Sequence, residues 1–409
     1  MNYVIIGASA SGMSFAKELR NLDKNCNITL ISRDENVYSR CMLHHIISGH
    51  RTLKDINFVE DDFFNKYNIT WLKGQTVNDL DVNKKILYTD KRSVKYDKLL
   101  IGSGAHAFIP PIKNLRESKS IYALRNIEDA LSIKDALETK EKIAILGAGL
   151  VGVDVLVSLL EKNKKVSIID MADRVLPLQL DKRSAKVYER KFIEKGASIY
   201  TSAKVEEVIL DETNDPKAIK LQGGQIIECD MVIVATGVKP NIGFIREGSM
   251  EINRGIVTND KCETSVENIY AIGDVRGVSP IWPLAMKEGK IAARNMVGGD
   301  ERITDSFALR NSMNFLGVPT VSIGQVNPPD ETYEVLTEEG SEYYKKIVYK
   351  DGVIYGVILQ GEIDYCGAYI ELIRNKIDVS HIKYDPFNIG YGDFFEISEN
   401  GEYKFKAVV

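Results

Sequence analysis

The stretch Ile143-Ala144-Ile145-Leu146-Gly147-Ala148-Gly149-Leu150-Val151-Gly152 decides the fold. Apolar residues with strand character run into a Gly-x-Gly-x-x-Gly turn, and the pattern predicts a helix onward to about residue 160. Each glycine has its own physical task. The first permits the tight turn out of the strand, the second lets the backbone approach a pyrophosphate, and the third lets the helix pack closely on the strand. The helix N-terminus then offers free N–H groups and a positive dipole end to phosphates. A second strand is predicted over 166–169. It is capped by Asp170, 18 residues beyond Gly152 (170 − 152), where a carboxylate accepts hydrogen bonds from a ribose diol.

The same grammar occurs at the start of the chain. A predicted strand over 3–6 meets Gly7-Ala8-Ser9-Ala10-Ser11-Gly12, an amphipathic helix is predicted over 13–22, and a strand over 28–31 ends near Asp34. This copy departs from the pattern, since Ser9 replaces the second glycine and the acid falls later (34 − 12 = 22). Two such units in one chain imply two dinucleotide sites. Later segments repeat the design. Residues 96–101 lead into Gly102-Ser103-Gly104-Ala105, residues 231–235 into Thr236-Gly237, and residues 264–272 into Gly273-Asp274. Ligands of open α/β sheets sit beyond such carboxyl ends.

Working outward, 409 residues at about 150 per domain give two to three domains. Hydrophobic residues at 44% and charged residues at 27% exclude a disordered or fibrous chain. Net charge is −5, and no block of five like charges offers a nucleic-acid or lipid surface, so no nucleic acid is expected as partner. The five cysteines (Cys26, Cys41, Cys229, Cys262, Cys366) have no close spacing, so neither a metal site nor a disulfide framework is expected. The start of the chain has no basic region and does not read as a signal peptide. The apolar stretch 143–160 contains Asp154 and three turn glycines, and reads as strand, turn and helix rather than as a membrane span. A cytoplasmic protein without a membrane segment is expected.

With these motifs in this order, the sequence resembles the FAD-dependent pyridine nucleotide-disulfide oxidoreductase superfamily over about residues 1–300. The resemblance implies an α/β protein with two Rossmann-like dinucleotide-binding domains, for FAD and NAD, plus a C-terminal α+β interface domain. It places Gly7, Ser9, Ala10, Gly12 and Asp34 on the ADP part of FAD, with Arg40, Ser103, Gly104, Gly273 and Asp274 completing that site. It places Gly147, Gly149, Gly152, Asp170 and Gly237 on the nicotinamide nucleotide. The family inserts its NAD domain into its FAD domain, which implies FAD-binding segments 1–109 and 238–306, an NAD domain 110–237 and a C-terminal domain 307–409. Relatives use such a last domain as a dimer interface, so a homodimer is expected. Within these bounds the pattern predicts a helix over 181–195 stopped by Gly196, a hairpin of 344–349 and 353–359 around Lys350-Asp351-Gly352, and a helix over 362–375.

FAD beside a nicotinamide site implies hydride transfer from nicotinamide C4 to flavin N5. The next acceptor must be read from residues near the flavin. The chain lacks the CxxxxC pair and the C-terminal His-Pro/His-Glu segment of the family's disulfide reductases, which excludes an internal dithiol. The segment Tyr38-Ser39-Arg40-Cys41-Met42-Leu43-His44-His45-Ile46-Ile47-Ser48-Gly49 resembles NADH:rubredoxin reductases and the flavin region of nitrite reductases. Coenzyme A disulfide reductases and NADH oxidases place a single cysteine where Cys41 stands, but precede it with Ser-Phe, which is missing here. NADH oxidases and peroxidases have histidine where this chain has Ala10, which disfavours oxygen and peroxide.

Cys41 has two readings: a reactive thiolate stabilised by Arg40, or a small apolar residue filling a slot. Arg40 and His45 would stabilise a reduced flavin electrostatically if they face it; otherwise His45 only satisfies helix packing. Asp154 stands where relatives carry a glutamate near the nicotinamide, and is equally well read as a charge favoured early in a helix. Asp170 favours NADH over NADPH, whereas Arg174 could reach a phosphate or only follow the turn. The expected activity is an FAD-dependent NADH oxidoreductase that passes electrons to a small carrier protein such as rubredoxin or ferredoxin. The alternatives are a reductase of coenzyme A disulfide, a persulfide or another low-molecular-weight disulfide using Cys41, and an NADH-binding redox sensor with slow turnover.

Overall fold

Alternation along the first strand, Asn2–Ile6, sets the first sheet. Tyr3 and Ile5 are buried with Phe15, Leu19 and Leu30, whereas Val4 and Ile6 join Ile31, Leu99 and Ile101 in a second cluster. A strand buried on both faces is what a parallel sheet between two layers requires. The computed structural model describes residues 1–278, 281–304, 310–382, 385–393 and 395–405, so the expected boundary between 306 and 307 lies outside the described residues. The chain groups into two compact units: Met1–Pro110 with Tyr122–Glu138 and Thr236–Ala308, and Pro111–Ile121 with Thr139–Ala235 and Leu309–Val409.

In the first unit, Asn2–Ile6 lies between Lys98–Ile101 and Asn27–Ser32, with Ile269–Ala271 and Ile69–Lys73 outside them, every neighbour parallel. The helix Ala10–Leu22 joins the first two strands and begins at Ala10 because the turn residues Ala10–Gly12 are themselves helical. It crosses the helix Trp282–Met296 at close range. A Cβ on Gly289 would stand 2.5 Å from the Ser11 carbonyl oxygen, so only glycine fits that crossing. The chain leaves Asn2–Ile6 toward one side of the sheet and later adds Lys98–Ile101 on the other. That switch opens a crevice at the strands' carboxyl ends.

In the second unit, Lys142–Leu146 is flanked by Lys165–Ile169 and Met231–Val234, with Ser198–Tyr200 beyond, again all parallel. The helices Leu150–Glu161 and Lys182–Glu194 match the predicted ones, and Asp181 caps the latter by accepting from the Ser184 N–H at 2.9 Å. The C-terminal segment forms an antiparallel sheet in the order Arg310–Phe315, Val318–Gly324, Val353–Gln360, Tyr344–Lys350, Glu334–Glu339. The predicted hairpin is its centre, turning through Asp351 and Gly352 at φ 48° and 81°. The last helix spans Cys366–Asn375 and starts later than residue 362 because Tyr365 takes the left-handed conformation, φ 59°.

This sheet is seated on the helix Lys182–Glu194. Tyr188 and Phe192 are fully buried, with Phe315 ring centroids 5.4 Å and 6.3 Å away. The Tyr188 hydroxyl lies 2.7 Å from both the Val318 carbonyl oxygen and Thr320 Oγ1. Asp181 accepts from the Tyr344 hydroxyl at 2.7 Å and pairs with Lys346 Nζ at 3.2 Å.

Candidate functional site

The first glycine turn is built on two close approaches. Gly7 has φ 108°, and a Cβ on it would lie 2.1 Å from the Gly102 carbonyl oxygen. A Cβ on Gly12 would lie 2.0 Å from the Gly7 carbonyl oxygen, so Gly12 packs helix on strand and does not line the cleft. Ser9 caps the helix in extended conformation without a side-chain hydrogen bond to the cap, and the first turn carries no acid. The N–H groups of the helix start therefore form a positive end with no acid of the first turn beside it. Before it opens a cleft of about 550 Å³, lined among others by Ser9, Ala10, Asp34, Arg40, Cys41, Ser103, Gly104, Gly273 and Asp274.

Arg125 and Asn241 are among the cleft's side chains that the sequence does not single out. Arg125 pairs with Asp274, and its Nε donates to the Ala105 carbonyl at 2.9 Å. Asn241 donates to the Ser103 carbonyl at 2.9 Å and its own carbonyl accepts from the Ser103 hydroxyl at 2.9 Å, which fixes the Ser103-Gly104 turn. The signal for Arg125 was its place before the Asn126/Asp129 capping box of the helix Ile127–Ala136. Behind Gly273, the Glu288 carboxylate accepts from the Gly273 N–H at 2.6 Å and pairs with Arg276. Burial raises the Glu288 pKa against the pull of Arg276.

Several expected residues take other roles. The carboxylate of Asp34 lines the cleft but is paired with Arg40 and accepts from the Tyr38 hydroxyl at 3.1 Å. Register explains the difference from Asp170. Gly7 N–H donates to Ile31 and Gly147 N–H to Ile169, each at 2.8 Å, so Ser32 is the counterpart of Asp170. The Ser32 hydroxyl donates to the Asp34 carbonyl at 2.7 Å and accepts from Trp71 Nε1 at 2.8 Å. The Arg40 guanidinium contacts Asp34, the Tyr38 hydroxyl at 3.2 Å and the Arg125 carbonyl at 2.7 Å. Cys41 itself is exposed in the tight turn Arg40–Met42. His45 is not among the residues lining the cleft, and its ring sits 4.0 Å from that of His44. Burial pushes the His44 pKa down to about 4.

The second glycine turn repeats the geometry in its own unit. Gly147 has φ 107°, and a Cβ on Gly152 would stand 1.9 Å from the Gly147 carbonyl oxygen. A Cβ on Gly149 would meet no protein atom within 4 Å, so the space above it is open to a ligand. Asp170 accepts from the Ala148 N–H at 2.6 Å and the Ala172 N–H at 2.7 Å, which fixes its carboxylate beside the turn. Gly237 falls beyond Ala235, the last residue of this stretch of the unit, and its carbonyl accepts from Phe108 N–H at 2.9 Å. In the helix, burial pushes the Asp154 pKa up to about 7.

Residues 1–289 match the model of the pyridine nucleotide-disulphide oxidoreductase family. The chain belongs to that family. Residues 310–377 of this oxidoreductase match the rubredoxin NAD+ reductase C-terminal domain. The chain is 29% identical over 397 residues to the NADH-dependent phenylglyoxylate dehydrogenase subunit epsilon of Aromatoleum evansii, covering 93% of each chain. It is 31% identical over 347 residues to the NADH-rubredoxin oxidoreductase of Clostridium acetobutylicum, covering 82% of this chain and 85% of that one. The crystal structure of NADH:rubredoxin oxidoreductase from the same organism aligns with TM-score 0.75 at 27% identity, over 93% and 97% of the two chains. The chain also matches the nitrite reductase of Bacillus subtilis, of which it spans 48%. Among the described residues, no helix of this oxidoreductase is long and apolar enough to cross a membrane.

Proposed function

We propose that this oxidoreductase is an FAD-dependent NADH dehydrogenase that delivers electrons to a small carrier protein of the rubredoxin or ferredoxin kind. The observation that carries it is the pair of glycine turns of matching geometry in one chain, followed by a rubredoxin-reductase C-terminal domain. The residues fit both groups. In the first cleft, the acid-free helix start and the Arg125 and Arg40 guanidinium groups suit a diphosphate. Ser9, Ala10, Ser103, Gly104, Gly273 and Asp274 would hold FAD there, with Gly7 and Gly12 shaping the turn. Ser32 stands where an acid would meet the adenosine ribose, and Asp34 instead orients Arg40. In the second turn, Gly147, Gly149, Gly152 and Asp170 would hold NADH. When bound, FAD supplies the hydride acceptor and the exit for electrons. The protein's own contribution is to fix Asp274 through Arg125, to hold Gly273 through Glu288, and to select the coenzyme through Asp170.

The domain division 1–109 with 238–306, 110–237 and 307–409 is proposed with one change. The helix Ile127–Ala136 goes with the FAD-binding part, as its grouping supports. A homodimer and a cytoplasmic location complete the proposal. One observation favours a second reading: Cys41 is exposed and lines the cleft, as a low-molecular-weight disulfide or persulfide reductase would need.

Stopped-flow reoxidation of the NADH-reduced protein, with rubredoxin, ferredoxin, coenzyme A disulfide and oxygen in parallel, tests the proposal. Fast reoxidation by a carrier protein supports it. Fast reoxidation by the disulfide alone establishes the Cys41 reading, and slow reoxidation by all four points to a sensor.

A further inference from the structure

Asp170 follows the strand Lys165–Ile169, and residues 170–181 lead from it to the helix Lys182–Glu194. Arg174 is the one cation in residues 170–181. A guanidinium on this loop is chemically suited to a ribose 2′-phosphate, which a planar fork grips with paired hydrogen bonds. In this structure it is bonded to acceptors of its own loop and to Asn327. Nε donates to the Leu180 carbonyl at 3.0 Å and Nη1 to Asp173 at 2.6 Å. Nη2 donates to the Pro177 carbonyl at 3.1 Å and to Asn327 Oδ1 at 3.2 Å.

Asn327 lies outside the nucleotide-binding sheet, just after the strand Val318–Gly324 of the C-terminal sheet. Its amide closes a clasp on the loop. Oδ1 faces the guanidinium, while Nδ2 faces the Pro177 carbonyl at 3.2 Å and the Leu180 carbonyl at 3.4 Å. We infer that Asn327 is a specificity-determining positioning residue for the coenzyme: through it the C-terminal sheet holds Arg174 away from the 2′ position, so that Asp170 alone reads the ribose. The inference rests on the second glycine turn being the nicotinamide-coenzyme site, and deepens that reading.

The test measures kcat/KM for NADH and NADPH, with ferricyanide as acceptor, for the holoenzyme and for Asn327→Ala, Asn327→Asp, Arg174→Ala and the Asn327→Ala/Arg174→Ala double variant. Fluorescence titration of each coenzyme runs alongside. Asn327→Ala is expected to raise the NADPH-to-NADH efficiency ratio about tenfold, through KM for NADPH with kcat unchanged. The gain should vanish in the double variant, because the released guanidinium is its source. Asn327→Asp keeps an acceptor on Arg174 and should leave the ratio within about twofold of wild type. Equal losses with both coenzymes, or a gain that survives in the double variant, would overturn the inference. If Asn327→Ala does not fold, Arg174→Ala decides. A folded-back guanidinium predicts an unchanged ratio, and a fall in NADPH efficiency of more than about fivefold would show that Arg174 already reaches the nucleotide. Wild-type protein that binds neither coenzyme would instead refute the nicotinamide-site reading itself.

Discussion

Cys41 and Asp154 are the two side chains on which chemistry and environment pull apart. Cys41 is exposed on the cleft, and the neighbouring Arg40 guanidinium contacts Asp34, the Tyr38 hydroxyl and the Arg125 carbonyl. The reading of Cys41 as a small residue filling a slot takes it out of electron flow from NADH. Cys41→Ser is therefore expected to retain its flavin and to reduce an artificial dye within about twofold of the wild-type rate. Loss of dye reduction with flavin retained would show that the thiol takes part. Asp154 is governed by desolvation, which raises its pKa to about 7. Because the folded pKa lies above the unfolded one, the folded state holds the extra proton between about pH 4 and pH 7. Stability from the neutral form is therefore full below that window and lost as pH rises through it, by up to ~4 kcal/mol. Asp154→Asn should melt progressively higher than wild type from pH 4.5 to pH 7.5, measured by calorimetry. A pH-independent difference would contradict the assignment.

At the scale of elements, the two strand–turn–helix units show what local sequence can and cannot disclose. The turns were legible because glycine tasks are set within a few residues, and the structure returns the same geometry twice. The counterpart of Asp170 in the first copy is not legible in the sequence. Counting to the nearest acid led to Asp34, whereas pairing of Ile31 and Ile169 with their turns makes Ser32 the counterpart of Asp170. Arg125 escaped because its partners, Asp274 and Ala105, are remote in sequence. The left-handed Tyr365 that delays the last helix carries no signal, since tyrosine rarely adopts that backbone. The glycines also give a discriminating pair of variants. Gly152→Ala forces a Cβ to 1.9 Å from backbone, so the unit should lose several kcal/mol and unfold below its normal temperature. Gly149→Ala meets no protein atom and should melt within about 2 °C of wild type while losing NADH affinity at least tenfold. Binding titrations and melting curves on both proteins check this, and equal melting losses would refute the separation of roles.

Over the whole molecule, the chain divides into one unit that holds the first glycine turn and another that joins the second turn to the C-terminal sheet. Tyr188 is the clearest joint within the latter, with a buried hydroxyl 2.7 Å from Val318 O and Thr320 Oγ1. Tyr188→Phe should cost about 1–3 kcal/mol, lowering one calorimetric transition by several degrees while the protein keeps its flavin. Simultaneous loss of flavin would show that the two units do not melt separately. The central claim is that one chain carries a resident flavin nucleotide and reduces it with a diffusing nicotinamide nucleotide. Anaerobic titration of the purified holoprotein with NADH, followed by absorbance near 450 nm, tests it most directly. A yellow protein with one FAD per chain that bleaches fully at one NADH per flavin is the expected result. A colourless protein that takes up no FAD, or a flavin that stays oxidised in excess NADH, would contradict it.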